Sequence, residues 1–387
     1  MLALRLARGA HPLVQLRRLM VAAASAGTGF LLLCTLGHAM GHPDASANSL
    51  LRLAWCVIPL AATVYFAVAV ARSDPGTKPR SGLSAVGLGP GRLTLLTAIS
   101  TAIACTLGSM LALLFFLHLR GDLSGLPFDG AARELLAANE PLPLAAALTL
   151  LTFVPLAASG AAAFVLRPQT AKPGKPATEQ AEEPTPAPTG LPWGIALLAA
   201  GLAVETYASH APGDDGFPMP GGLGGSSTGV LAGWALTALG LALAGPGLTY
   251  LCGRALQAVR PGAVRLLAGR VLQEEARRIG HPLGVVCAVA SGTYAATVLY
   301  AGGGPDLGPL SALGAALVVG CTVATLVTAA IEARQSRRHT TAALLRLGAP
   351  ATMLRGAAAL RAGVLLAVFG PLTWAVAELS AIPLMSR

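Results

Sequence analysis

Charge is scarce in this sequence. Asp, Glu, Lys and Arg together make up 11% of 387 residues, against 54% hydrophobic ones. A soluble domain of this length would carry far more charge on its surface. Aromatic residues are also few, at 5%. The net charge of +10 therefore does not read as a nucleic-acid footprint, because the basic residues lie between apolar runs and not on one patch with interleaved aromatics. Catalytic and nucleotide motifs are missing as well. There is no GxxxxGK[ST], and GLGPG at 87–91 lacks the Lys-Ser/Thr that would grip phosphates. No HExxH, GxSxG or kinase-type pattern occurs. Cys34, Cys56, Cys105, Cys252, Cys287 and Cys321 form no CxxC pair and fall in or beside apolar segments, which reads as buried packing and not as a disulfide frame or zinc site. Neither an enzyme nor a cofactor or metal protein is expected. No cleavable leader is evident, and the basic start MLALRLARGAHPLVQLRRLM reads as an interfacial helix entering the first span.

What the sequence has is apolar length. Runs near bilayer-crossing length recur at 19–38, 51–71, 93–118, 142–166, 191–209, 228–252, 281–301, 309–333 and 356–377. The fold class expected is all-α: a polytopic transmembrane helical bundle with about nine spans. Abundant Gly and Ala fit close helix packing in lipid, or equally an Ala/Gly-rich proteome. The alternating connections differ sharply in charge. One set carries Arg5, Arg8, Arg17, Arg18; Arg72, Lys78, Arg80, Arg92; Arg167, Lys172, Lys175; Arg254, Arg260, Arg265, Arg270, Arg277, Arg278; and Arg334, Arg337, Arg338, Arg346, Arg355. The other holds almost no Lys or Arg beyond Arg120, Arg133 and Arg387, and carries Asp44, Asp122, Asp129, Glu134, Glu140, Asp214, Asp215 and Asp306. Positive loops stay inside, so the expected cell-membrane topology puts the N-terminus in the cytoplasm and, after an odd number of spans, the C-terminus outside.

Residues 167–190, RPQTAKPGKPATEQAEEPTPAPTG, have almost nothing to bury and read as a flexible cytoplasmic linker. They divide the chain into a four-span half, 1–166, and a remainder made of a two-span connector, 191–252, and a three-span segment, 253–387. The halves look related. Each sets a basic group and His-Pro-Leu (11–13 and 281–283) before a span, followed by a tight outer loop, a second span, a basic cytoplasmic loop and a third span. The cytoplasmic loops, 71–98 and 333–360, both open on Ala-Arg and reach Leu-Gly at Leu88-Gly89 and Leu347-Gly348. In the second loop, Leu344, Leu345 and Leu347 give a short helix an apolar face, and Gly348 with Pro350 stops it.

The second loop resembles that of the FtsX-like permease family, which includes the MacB- and Lol-type transporters. The residues carrying the likeness are Arg334, Arg337, Arg338, then Leu345-Arg346-Leu347-Gly348-Ala349, then Met353-Leu354-Arg355. The first loop matches more loosely, through Arg72, Arg80, Val86-Gly87-Leu88-Gly89 and Arg92. The resemblance implies two FtsX-like repeats, and a permease subunit of an ABC transporter whose short loop helices dock on a separate cytoplasmic ATPase dimer. It implies export or extraction of a hydrophobic or amphipathic substrate. The alternative for the helix is a resting place on the membrane surface, its arginines meeting headgroups. The chain departs from the family in its short outer loops, 41–49 and 302–308, which leave no room for a large external domain. Two-repeat members also carry a further span where this sequence stops soon after Glu378.

Two other features stand out. His38 and His42 are four apart, a spacing that metal ligands use and that interfacial histidines also show. Glu205 lies inside the fifth apolar run, either as a functional intramembrane carboxyl or as a side chain reaching to the outer interface. Glu332 and Glu378 sit at span ends. Two other readings stand beside the permease one: few charges near the midplane weigh against an ATPase-independent secondary transporter, and the short outer loops weigh against a large external partner for a non-transporting membrane sensor or immunity protein.

Overall fold

A computed structural model describes residues 12–74, 90–123, 130–133, 136–167, 187–210, 228–258, 262–301 and 308–385. Residues 1–11 of the basic start, most of the linker and the segment 211–227 lie outside them, and residues 12–20 of that start belong to the first long helix. Every regular element among the described residues is a helix: α1 Pro12–Gly41, α2 Ser46–Trp55, α3 Val57–Ser73, α4 Pro90–Arg120, α5 Leu144–Val165, α6 Leu191–His210, α7 Thr228–Ala258, α8 Ala263–Ala301, α9 Pro309–Ser336, α10 Arg338–Arg346 and α11 Ala351–Met385. Nine helical segments among the described residues are long and apolar enough to cross a membrane, with α2 and α3 together forming one of them. The protein is a multi-pass, all-α membrane protein.

The helices sort by side-chain size. On α4, the buried positions Ala98, Thr101, Cys105, Ser109 and Ala112 are small, whereas Leu95, Ile99, Ile103, Leu107 and Leu111 stand exposed at the same four-residue interval. Such a stripe of large apolar side chains suits contact with acyl chains, and the small face lets helices approach. Hydroxyls then bond across the seams. Ser25 of α1 donates to the Cys105 carbonyl of α4 at 2.8 Å, Ser109 to the Leu151 carbonyl of α5 at 3.2 Å, and the Thr28 and Thr63 hydroxyls of α1 and α3 lie 2.8 Å apart. All six cysteines are buried and unpaired, as the absence of CxxC pairs leads one to expect.

The chain falls into two compact units, residues 1–171 with 308–325 and residues 172–307 with 326–387. In the first, α1 packs on α4, α5 and α3. Its core joins Val21, Ala24, Phe66, Ala67, Cys105 and Ala158 to Cys321 and Ala324 of α9. In the second, α7 packs on both α6 and α8, and α11 packs on α8, α6 and α7. Two glycine faces let α7 do this. Gly240 meets the backbone of α6 so closely that a Cβ there would lie 2.5 Å from the Leu198 nitrogen, and a Cβ on Gly253 would lie 2.7 Å from the Gly269 carbonyl oxygen of α8.

Helix α8 is longer than the apolar run at 281–301. It begins at Ala263, and the charged stretch before His281 and Pro282 is continuous with the span that follows them. The charged stretch before them is helical because Ala268, Leu272 and Ala276 bury a face at four-residue spacing, and Arg270 pairs with Glu274 one turn on, at 3.8 Å. Pro282 lies inside this helix without ending it, as proline does in membrane helices where neighbouring groups can take up the carbonyl it frees.

Candidate functional site

The loop between α9 and α11 holds the candidate site. Helix α9 breaks at Arg337, and α10 runs only from Arg338 to Arg346. Its end is built as the sequence implies. Gly348 adopts φ +90°, a left-handed conformation that glycine takes without strain. The Gly348 N–H donates to the Leu345 carbonyl at 3.1 Å and the Ala349 N–H to the Leu344 carbonyl at 3.0 Å, the paired bonds of a Schellman stop. Pro350 then precedes α11.

What α10 presents is apolar and basic. Leu345 is 46% exposed and Leu347 83% exposed, while Leu344 is half-buried. Arg334, Arg338, Arg346 and Arg355 are all exposed around them, and the helix has no acidic residue. None of the extensive helix–helix packing in the second unit involves α10.

The helix is nevertheless tethered. Arg337, the residue that joins it to α9, pairs with Glu275 of α8 at 3.1 Å, with side chains 28% and 10% exposed. Arg361 of α11 is near enough for its charge to act on Glu275 too. Arg278, one turn along α8, reaches Glu332 of α9 at 3.9 Å and donates to the Ser336 hydroxyl at 3.4 Å. Three helices thus meet through charge at the root of α10. Pairs of this partial burial lie between the ~0.2–1 kcal/mol of exposed ion pairs and the ~3–5 kcal/mol lost when one partner of a buried pair is removed.

Glu275 and Arg361 were not singled out from sequence. The signal was the Glu274-Glu275 pair followed by Arg277-Arg278, which only becomes a face once the segment is known to be helical. In the first half, Arg72 is exposed at the end of α3, and beside it Ser73 and Asp74 accept from Arg17 and Arg18 of α1, at 3.0 and 2.6 Å. Arg80, Leu88 and Gly89 lie outside the described residues.

No protein family, curated protein or solved structure matches this chain.

The remaining candidates sit elsewhere. The imidazoles of His38 and His42 stack with centroids 4.4 Å apart, and no third potential ligand joins them among the described residues. Glu205 does not reach for an interface. It is 0% exposed, and its Oε1 accepts from the Thr237 hydroxyl of α7 at 3.0 Å. Glu378 accepts from the Tyr294 hydroxyl of α8 at 2.7 Å.

Proposed function

We propose that this protein is the membrane-spanning permease subunit of an ABC transporter, with α10 as the element that docks on a separate cytoplasmic ATPase. The observation that carries this reading is the combination at α10: a short helix between two spans, exposing Leu345 and Leu347 in a segment whose Arg334, Arg338, Arg346 and Arg355 are exposed too, yet tied at its root to α8 by Arg337 and Glu275. A helix that merely rested on lipid would need no such tether. A helix that receives a push needs both a surface to be pushed and a rigid connection to the spans. The fitting partner surface is an apolar groove with acidic edges. By the FtsX-like resemblance, ATP-driven closure of an ATPase dimer would shift α10, and α8, α9 and α11 with it, to export or extract a hydrophobic or amphipathic substrate. The charge asymmetry of the loops supports a cytoplasmic N-terminus and α10 on the same side.

A two-repeat organisation fits the same picture, in a register different from the His-Pro-Leu match. Arg17 and Arg18 bond to Ser73 and Asp74 at the end of a following span in one half, and Arg278 of the Arg277-Arg278 pair bonds to Ser336 at the end of a following span in the other. Those following spans, Ser46–Ser73 and Pro309–Ser336, are each 28 residues long. Within each half, the first and third spans pack together, α1 on α4 and α8 on α11.

The test is mild-detergent purification of the tagged protein from its native membranes, wild type beside Leu345→Glu. Recovery of an ATP-binding subunit with wild type and its loss with the variant is the expected result. An intact wild-type protein that brings down no ATPase would sink the proposal and favour the ATPase-independent transporter, for which the buried Glu205 is the supporting observation.

A further inference from the structure

Glu205 of α6 is the one carboxyl among the largest fully buried side chains of the described residues. Gly201 and Gly233 bring α6 and α7 together around it, so tightly that a Cβ on Gly233 would lie 2.5 Å from the Glu205 Cγ. A carboxyl carries about four acceptor sites when ionised. Here Thr237 occupies one on Oε1, Oε2 is buried without a hydrogen bond of ordinary geometry, and the Ser380 hydroxyl is close enough to act on the carboxyl. The groups facing it are hydroxyls: Thr237 from α7 and Ser380 from α11. No basic side chain pairs with it among the described residues, and the nearest acid on α11, Glu378, is engaged by Tyr294. An ionised, half-satisfied carboxylate in such a place would be far too costly to bury. A divalent metal would need about six oxygen ligands, and no cluster of metal-binding side chains forms among the described residues.

We infer that Glu205 is a proton-binding site, at which the Oε2 atom takes up a proton and gives it back as the helices around it rearrange. The position suits exchange, since Glu205 is about 7 Å by helical rise from the His210 end of α6. The seam around it is built on small residues, with Gly201 and Gly233 bringing the α6 and α7 backbones into contact beside Thr237. This inference stands on the interior of the second unit and is independent of ATPase docking at α10.

Infrared spectroscopy of the purified full chain in lipid nanodiscs tests it, reading the carbonyl stretch of protonated carboxylic acids. The expected result is a band in wild type that is absent from Glu205→Gln, shifts on transfer to deuterium oxide and fades as the pH is raised. Thr237→Val, which removes the hydroxyl donor and keeps the acid, should move the band without abolishing it. That variant also decides the matter if Glu205→Gln does not fold. Identical spectra for wild type and both variants would show an ionised Glu205 and overturn the inference. A band that neither exchanges nor titrates would mark a sealed structural acid, and one removed by sodium at fixed pH would mark a metal site; either result also overturns it.

Discussion

Gly240→Ala should weaken this protein, although alanine is the better helix former. The added Cβ would lie 2.5 Å from the Leu198 nitrogen, 2.8 Å from the Gly194 carbonyl oxygen and 2.9 Å from the Leu198 Cα. All three are backbone atoms of α6, so no side-chain rotation relieves the overlap. The helices must part by roughly 1 Å to restore ordinary contact, and the hydrogen bond from Thr237 to Glu205 lies in the same seam. Overpacking of this kind costs about 1–3 kcal/mol, against about 1 kcal/mol regained from helix propensity. A net loss of up to about 2 kcal/mol is expected on that comparison. Gly160→Ala in α5 is the control, because nothing lies within 4 Å of its Cβ position; there only the propensity gain remains. A thiol-reactive fluorophore suits the assay, since all six cysteines are buried and free and report only on unfolding. The melting temperature should fall for Gly240→Ala and hold or rise for Gly160→Ala. Equal stability of the two variants would refute the backbone-contact account of α7.

Two further outcomes follow from the tether and the loop charges. In a double-mutant cycle on Glu275→Gln and Arg337→Gln, the same thermal assay should return a coupling of about 0.5–3 kcal/mol, the range for residues in direct contact, and strict additivity would mean that α10 is not tied to α8. With Asp44→Cys and Arg338→Cys in right-side-out vesicles, a membrane-impermeant maleimide should label the first and spare the second until the vesicles are opened; labelling of both from outside would contradict the orientation.

The spans were legible because crossing a bilayer requires length and apolarity, and both are local properties. Helix α10 was legible too, since its leucines, Gly348 and Pro350 sit within one short stretch and the Schellman bonds need nothing from elsewhere. The first part of α8 was not. Its Glu274, Glu275, Arg277 and Arg278 look like a loop, and only the burial of Ala268, Leu272 and Ala276 against other helices makes it continuous with the span. Glu275 and Arg361 matter for the same tertiary reason, as their meeting with Arg337 depends on helices far apart in the chain. Glu205 was visible as an anomaly, but its seat was not, because Gly233, which packs against it, comes from a different helix.

The most direct measurement is a photo-crosslinker placed at Leu347, the most exposed large side chain of the α10 region at 83%, and activated in intact cells. The account predicts an adduct with an ATP-binding subunit, diminished by Leu345→Glu. Adducts with lipid alone, unchanged by that substitution, would contradict it and leave α10 a membrane-surface helix.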